Sequence, residues 1–209
     1  MKILLINGSP HEKGSTYRSL IEAEKVLKEE GAECEIIWFG NKAINDCIGC
    51  GACRKLPTRC AFGNDIVNEI IEKAESADAF IFGSPVYYAH PSGRILSVLD
   101  RVFYAGSKAF RHKPAASITV ARRAGTTASL DVLSKYITIS QMPLVSSSYW
   151  CMTHGAKAED VEADEEGKQT VRNMARNMVW LCRSIEIAKK EGITPPENEY
   201  ANRTNFVRL

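Results

Sequence analysis

The sequence predicts an α/β fold in which helices cover both faces of one parallel sheet. Apolar segments of strand length alternate with amphipathic helical segments along most of the chain, a pattern typical of doubly wound α/β domains. The first strand, KILLI, is apolar without interruption, as expected of a central strand that is buried on both faces. Because no repeat or linker divides the 209 residues, the whole chain, 1–209, is predicted to form a single domain.

Each element is predicted from its own apolar pattern. Five strands follow from runs of apolar residues, at 2–6, 33–39, 78–83, 115–121 and 143–150. Five helices follow from apolar residues spaced three or four positions apart, at 17–30, 65–77, 92–106, 127–138 and 165–190. A cysteine-rich insertion occupies 45–64, and an extended tail occupies 192–209.

The composition argues against several classes of function. With 27 basic and 25 acidic residues, the chain has a net charge of +2, whereas nucleic-acid-binding proteins usually carry a strongly basic surface. The charge balance therefore gives no reason to expect nucleic acid as a partner. No apolar run approaches the roughly 20 residues of a membrane helix, so no membrane partner is expected either. We expect a cytoplasmic protein, in which the seven cysteines are free, metal-bound or catalytic rather than paired in disulfides.

The first candidate loop, NGSPHEKGST, follows the first strand. It lacks the glycine patterns of dinucleotide and nucleoside triphosphate sites. It offers the hydroxyls of Ser9, Ser15 and Thr16, and the free N–H groups of the helix that follows suit a phosphate monoester. In a simpler interpretation, Ser15 or Thr16 is only the N-cap of that helix.

The second candidate loop, GSPVYYAHPSG, follows the third strand. Pro85 stiffens the exit from the strand, and Tyr87 and Tyr88 present two flat side chains at the carboxyl end of the sheet, where ligands of such folds bind. Adjacent aromatic rings are suited to stacking on a planar heterocycle. In the alternative interpretation, one tyrosine packs inward and the other covers a helix.

The third candidate loop, ARRAGTT, follows the fourth strand. Gly125 allows the backbone to approach a ligand closely, and Arg122 and Arg123 carry fixed positive charge. Alternatively the arginines are only solvated and Thr126 or Thr127 caps the next helix. The functional interpretation gains weight because all three loops are predicted to converge on one edge of the sheet.

The segments INGSPHEKGST, GSPVYYAHPSGRILSVLDR, ARRAGTT and SSSYWCMTHG together resemble the flavodoxin-like NADPH-dependent FMN reductase family, close to its iron–sulfur flavoproteins. The resemblance implies a five-stranded parallel sheet of order 2-1-3-4-5 and non-covalently bound FMN. It also implies a homodimer or homotetramer. We expect Tyr149, Trp150 and Phe206 to line an interface between subunits.

The resemblance also assigns the three loops to parts of FMN. The phosphate is expected on Ser9, Ser15 and Thr16 with help from His11 or Lys13, and the isoalloxazine ring on the two later loops. The ring-binding residues are expected to be Pro85, Val86, Tyr87, Tyr88, Arg122, Arg123, Gly125 and Thr126. An arginine near the ring would stabilise the anionic reduced flavin. The chemistry belongs to the flavin itself, so no residue is predicted to be catalytic.

Four cysteines form a compact motif, C-x2-C-x2-C-x6-C, at Cys47, Cys50, Cys53 and Cys60. Two-residue gaps allow thiolates to converge on one small cluster. The iron–sulfur flavoproteins carry a similar motif after the second strand, so the resemblance implies a [4Fe–4S] cluster here. Zinc, which four thiolates also satisfy, and free thiols are the alternatives.

Two functions of different classes follow from the resemblance. The first is an FMN-dependent oxidoreductase that passes electrons from NAD(P)H, or from a ferredoxin-type donor, through FMN to a small-molecule acceptor such as a flavin, a quinone or a nitro compound. The second is a non-enzymatic electron carrier like flavodoxin, with or without the cluster. Flavodoxins tend to be strongly acidic so that they dock on basic partners, and the net charge of +2 therefore favours the enzyme.

Overall fold

A six-stranded sheet organises the chain in the computed structural model, which describes residues 1–56, 58–63, 65–202 and 204. Five strands are parallel in the order β2-β1-β3-β5-β6, and β4 pairs antiparallel with β3. The strands are β1 (Lys2–Asn7), β2 (Glu33–Trp38), β3 (Ala79–Tyr87), β4 (His90–Pro91), β5 (Ala115–Ala121) and β6 (Met152–His154). The predicted fold class is confirmed, and the predicted 2-1-3-4-5 order describes the five parallel strands once the two-residue β4 is set aside.

Helices lie on both faces of the sheet. They are α1 (Ser15–Glu29), α2 (Ile66–Ser76), α3 (Gly93–Gly106), α4 (Thr126–Ile139), α5 (Ala158–Ala163) and α6 (Glu165–Lys190). Apolar residues of α1 and α6 pack on one face of the sheet, and those of α2, α3 and α4 pack on the other. None of the helices in the described part of the chain is long and apolar enough to cross a membrane.

The first strand contributes to both halves of the core. Ile3 and Leu5 pack with α1 and α6, whereas Leu4 and Ile6 pack with α2 and α3. All four side chains are fully buried, because successive residues of a strand point to opposite faces of the sheet. The unbroken KILLI run therefore places β1 at the centre of the sheet.

The fifth predicted strand, 143–150, is wrong in position. Only an isolated bridge between Ala115 and Leu144 forms there, and the edge strand is β6, which begins at Met152. The serine-rich part of the segment bonds to α6 instead of β5: Ser147 Oγ donates to the Thr170 carbonyl oxygen at 2.6 Å. Polar groups of this segment are thus satisfied by hydrogen bonds to a neighbouring helix, which compete with pairing to a strand.

The insertion and the tail have little regular structure. Between β2 and α2, a single 3₁₀ turn covers Ala52–Arg54, and positions 57 and 64 lie outside the described residues. In the tail, Asn198 Nδ2 donates to Gln141 Oε1 at 2.8 Å. Positions 203 and 205–209 of the tail lie outside the described residues.

One buried serine connects α3 to the loop after β1. Ser92 is the N-cap of α3, where its Oγ accepts from the Ile95 N–H at 3.4 Å and donates to the Gly8 carbonyl oxygen at 2.8 Å. Its own N–H donates to Ser84 Oγ at 3.1 Å. Because Ser92 is fully buried, these groups have no access to water as an alternative partner.

Replacing this serine should therefore destabilise the fold. We expect Ser92→Ala to lower the free energy of unfolding by about 1–3 kcal/mol, since the Gly8 carbonyl is left unpaired and α3 loses its cap. The matched control is Ser97→Ala, which removes a hydroxyl that donates to the Gly93 carbonyl of the same helix. This change should cost less than about 0.5 kcal/mol. Denaturant unfolding of both variants measures the difference, and equal values would contradict the assignment.

Candidate functional site

Three loops meet at the carboxyl edge of the sheet, because β1, β3 and β5 are neighbours. Ser92 joins the loop after β3 to the loop after β1 through its hydrogen bond to Gly8. The loop after β5 touches the β3–β4 hairpin so closely that a Cβ at Gly125 would lie 2.8 Å from Val86 Cγ1. Gly125 also has a φ of +91°, a conformation that glycine adopts without strain. The structure thus brings the three predicted loops together.

The loop after β1 is held in place by bonds to its own backbone. Ser9 is buried, its N–H donates to Asn7 Oδ1 at 3.1 Å, and its carbonyl oxygen accepts from Trp38 Nε1 at 2.9 Å. Ser9 Oγ accepts from the His11 N–H at 3.1 Å, which leaves the hydroxyl proton available to a ligand. The imidazole of His11 is exposed.

The amino terminus of α1 is uncapped by any side chain. Gly14 is the N-cap, so the simpler interpretation of Ser15 or Thr16 as the cap is wrong. Thr16 is only 1% exposed, yet its Oγ1 has no hydrogen-bond partner in the described part of the chain. The first turn also contains no acidic residue. Free N–H groups, a helix dipole and an unpaired buried hydroxyl together suit an anion.

The loop after β3 is a hairpin that the sequence did not reveal. β3 continues to Tyr87 rather than ending at Gly83, because Val86 and Tyr87 pair with β4. Pro85 and Val86 are half-buried, while Tyr87 is 43% exposed and Tyr88 is fully exposed at the turn with a φ of +62°. Neither tyrosine packs inward, so both rings are available at this edge.

The loop after β5 combines exposed cations with a buried threonine. Arg122 and Arg123 are exposed. Thr126, the first residue of α4, is buried, and its Oγ1 donates to Met152 Sδ at 3.2 Å. The arginines therefore supply positive charge to the edge, whereas the Thr126 side chain joins α4 to β6.

The four cysteines of the motif line one cavity of about 460 Å³ between the insertion and α3. Cys50 is exposed and the other three are half-buried. In the described ranges, no group of three or more His, Cys, Asp or Glu side chains is arranged to hold a metal ion. Four thiols facing one cavity nevertheless make a soft, all-sulfur donor set, which fits an iron–sulfur cluster by its chemistry.

The three remaining cysteines lie away from this cavity. Burial raises the pKa of Cys34 to about 11, that of Cys182 to about 11 and that of Cys151 to about 12. A thiol with so high a pKa stays protonated at neutral pH and is a poor nucleophile or ligand. These cysteines therefore act as packing residues.

Two arginines of α3 bind the segment between β2 and α2, and neither was predicted: Arg94 binds the chain just after β2, and Arg101 binds the insertion. Arg94 Nη2 donates to the Gly40 carbonyl at 2.6 Å and its Nη1 to the Lys42 carbonyl at 2.8 Å. Arg101 donates to the Asn45 carbonyl and to Cys60 Sγ. The signal in the sequence was the helical spacing, since Arg101 follows the buried Val98 by three positions.

Comparison with known proteins identifies the family. The model of the NADPH-dependent FMN reductase family matches residues 1–157. An iron-sulfur flavoprotein of Methanocaldococcus jannaschii is 30% identical over 195 residues, which cover 89% of this chain and 100% of that protein. An iron-sulfur flavoprotein of Methanosarcina thermophila is 29% identical over 196 residues, which cover 91% of this chain and 98% of that protein.

Solved structures agree at the level of the fold. RosB with a bound intermediate, 8-demethyl-8-formylriboflavin-5'-phosphate, matches 99% of this chain and 92% of its own with a TM-score of 0.68 at 15% identity. An NADH:FMN oxidoreductase in its apo form matches 86% of this chain and 89% of its own with a TM-score of 0.62 at 16% identity. By its family match and its relatives, the chain belongs to the NADPH-dependent FMN reductase family, in the group that includes the iron–sulfur flavoproteins.

Proposed function

We propose that this protein is an FMN-dependent oxidoreductase that binds FMN at the carboxyl edge of its sheet. The observation that carries the proposal lies at the amino terminus of α1, which no side chain caps: the buried Thr16 hydroxyl there has no hydrogen-bond partner within the described ranges of the chain. A phosphate monoester supplies the acceptor oxygens that this hydroxyl and the free N–H groups lack. Membership of the FMN reductase family supports the same ligand.

The residues fall into two groups by the part of FMN they would hold. The phosphate would be held by Ser9, His11, Ser15 and Thr16. The hydroxyl protons of Ser9 and Thr16 are available to donate to its oxygens. The ring would lie against the hairpin and the β5–α4 loop, at Pro85, Val86, Tyr87, Tyr88, Arg122, Arg123, Gly125 and Thr126. Bound FMN supplies the hydride and electron chemistry. The exposed arginines would favour negative charge at this edge.

The phosphate assignment predicts a change that depends on the ligand. Thr16→Val removes the hydroxyl at nearly constant volume, and we expect FMN affinity to fall about ten- to a hundredfold, as for a lost hydrogen bond to a charged group. The affinity for riboflavin, which has no phosphate, should stay unchanged. Fluorescence titration of the apoprotein with both flavins measures the effect, and Thr16→Ser, which keeps the hydroxyl, is the matched control.

Two outcomes would contradict this assignment. Equal losses for FMN and riboflavin would mean that Thr16 acts through packing. No binding of FMN by the wild-type protein would overturn the proposed function itself.

We further propose that Cys47, Cys50, Cys53 and Cys60 hold a [4Fe–4S] cluster as a second redox centre. The support is the shared cavity of the four thiols and the relatives named iron-sulfur flavoproteins. The alternatives are zinc and four free thiols.

Metal analysis separates these possibilities. After anaerobic purification we expect about four iron and four acid-labile sulfide per chain, and Cys50→Ala should lose most of both. Cys34→Ala is the matched control, because Cys34 lies in β2 and outside the cavity; it should retain full iron. Zinc in place of iron, or no metal at all after reconstitution with iron and sulfide, would contradict the cluster.

NAD(P)H is the proposed electron donor, and a flavin, a quinone or a nitro compound is the proposed acceptor. The open edge of the site supports this, since Tyr88 and both loop arginines are exposed and leave room for a second planar molecule. A second candidate function, a non-enzymatic electron carrier, is favoured by the cysteine-lined cavity. Such a carrier would exchange single electrons with a ferredoxin-type partner.

Anaerobic stopped-flow mixing distinguishes the two functions. We expect excess NADPH or NADH to bleach the visible absorbance of the bound flavin rapidly, because the proposed oxidoreductase would take hydride from a nicotinamide. Reduced ferredoxin serves as the comparison donor. Slow or absent bleaching by both nicotinamides, together with rapid reduction by ferredoxin, would favour the carrier instead.

Assembly into a homodimer or homotetramer stays a prediction. Tyr149 and Trp150 are 61% and 60% exposed and their ring centroids lie 5.1 Å apart, as expected of residues at an interface between copies. Phe206, the third residue predicted there, lies outside the described residues.

A further inference from the structure

A buried arginine of α3 forms part of the wall of the cysteine-lined cavity. Arg101 is a charged residue, yet it is only 1% exposed and lies among the apolar residues of α3 that face the core. Burying a guanidinium without partners would be strongly unfavourable. The hydrogen-bond partners of Arg101 therefore indicate its role.

Arg101 uses its whole fork of donors. Both nitrogens of the terminal group bond to the Asp65 carboxylate, with Nη2 at 3.1 Å from Oδ1. Nη1 also donates to the Asn45 carbonyl oxygen and Nη2 to the Phe62 carbonyl oxygen, each at 3.1 Å. The remaining donor, Nε–H, points to Cys60 Sγ at 3.4 Å. A guanidinium keeps its charge in proteins, so this buried side chain carries a positive charge.

The backbone of Cys60 is fixed as firmly as its sulfur. Asn68 Oδ1 accepts from the Cys60 N–H at 2.8 Å, and Asn68 Nδ2 donates to the Cys60 carbonyl oxygen at 3.1 Å. Asn68 belongs to α2 and Arg101 to α3. Within the described part of the insertion, Cys60 is the motif cysteine whose sulfur accepts a side-chain hydrogen bond, so it is the preorganised member of the four.

We propose that Arg101 is a positioning residue that fixes Cys60 Sγ and raises the reduction potential of the cluster held by the four thiolates. This inference rests on the proposed cluster. A cation and an N–H donor beside a thiolate ligand stabilise the more negative, reduced state. Asp65 opposes this effect because it adds a negative charge behind the guanidinium. Asp100 and Arg54 also line the cavity, but neither shares a hydrogen bond with a cysteine sulfur in the described residues.

Because Arg101 and Asp65 carry opposite charges, replacing them should shift the reduction potential of the cluster in opposite directions. Arg101→Gln removes the cation and should lower the equilibrium constant for reduction of the cluster about tenfold, which is about 59 mV for one electron. Asp65→Asn removes the anion and should shift the potential the other way. Asparagine is itself a good N-cap, so α2 keeps the cap that Asp65 provides to the Val67 N–H. Arg101→Lys keeps the charge and should shift the potential less than Arg101→Gln.

The measurement is an anaerobic redox titration of the intact protein, with the reduced cluster followed by electron paramagnetic resonance. The matched control is Arg94→Gln, which removes an arginine about two turns away on α3 that bonds to Gly40 and Lys42 carbonyls. Its cluster potential should equal that of the wild type. The flavin potential, measured in the same titration by absorbance, should not move in any variant.

Each outcome decides the inference. Shifts of opposite sign in Arg101→Gln and Asp65→Asn support it. A wild-type potential in the variants that retain a cluster overturns it and leaves Arg101 as a structural counter-ion. If Arg101→Gln loses its cluster, Arg101→Lys and Asp65→Asn decide by the same criterion. If the wild-type protein contains no iron and sulfide, the cluster proposal fails first, and this inference fails with it.

Discussion

Burial of the parallel sheet on both faces is the constraint on which the rest of the structure depends. Each strand of such a sheet satisfies its backbone groups through its neighbours, as β1 does between β2 and β3. In the interior strands β1, β3 and β5, free backbone groups then remain where a strand ends and where the next helix begins. Since β1, β3 and β5 are parallel and adjacent, their carboxyl ends bring three polar loops to one edge. The candidate flavin site is a consequence of this arrangement.

Helix α3 connects that edge to the cysteine-lined cavity. Its N-cap, Ser92, holds the loop after β1 through the Gly8 carbonyl. Arg94, in its first turn, binds the chain that leaves β2, and Arg101 binds the insertion near Cys60. One helix thus bonds both to the loop after β1 and to Cys60, an arrangement that would hold the two proposed redox centres in fixed positions.

Local pattern predicted most of the fold because its elements are strongly periodic. The final helix has the predicted bounds, and β5 matches the apolar run AASITVA. The prediction failed where partners far along the chain decide the conformation. The serine-rich run before Trp150 bonds to α6, and β3 extends to Tyr87 because a two-residue strand pairs with it. Neither partner is visible in the local sequence.

The sequence by itself determined the layered sheet, the three loops at its carboxyl edge and the compact spacing of the four cysteines, since all three follow from short-range patterns of residue type. Only the tertiary structure decided that the hydroxyl of Thr16 is buried and finds no hydrogen-bond partner among the residues that the structure describes. It also decided that Arg101 Nε lies 3.4 Å from the Sγ of Cys60, although the two residues are 41 positions apart in the chain. Contacts of that kind depend on how α3 packs beside the insertion, and side-chain periodicity carries no information about which distant residue a polar group will face.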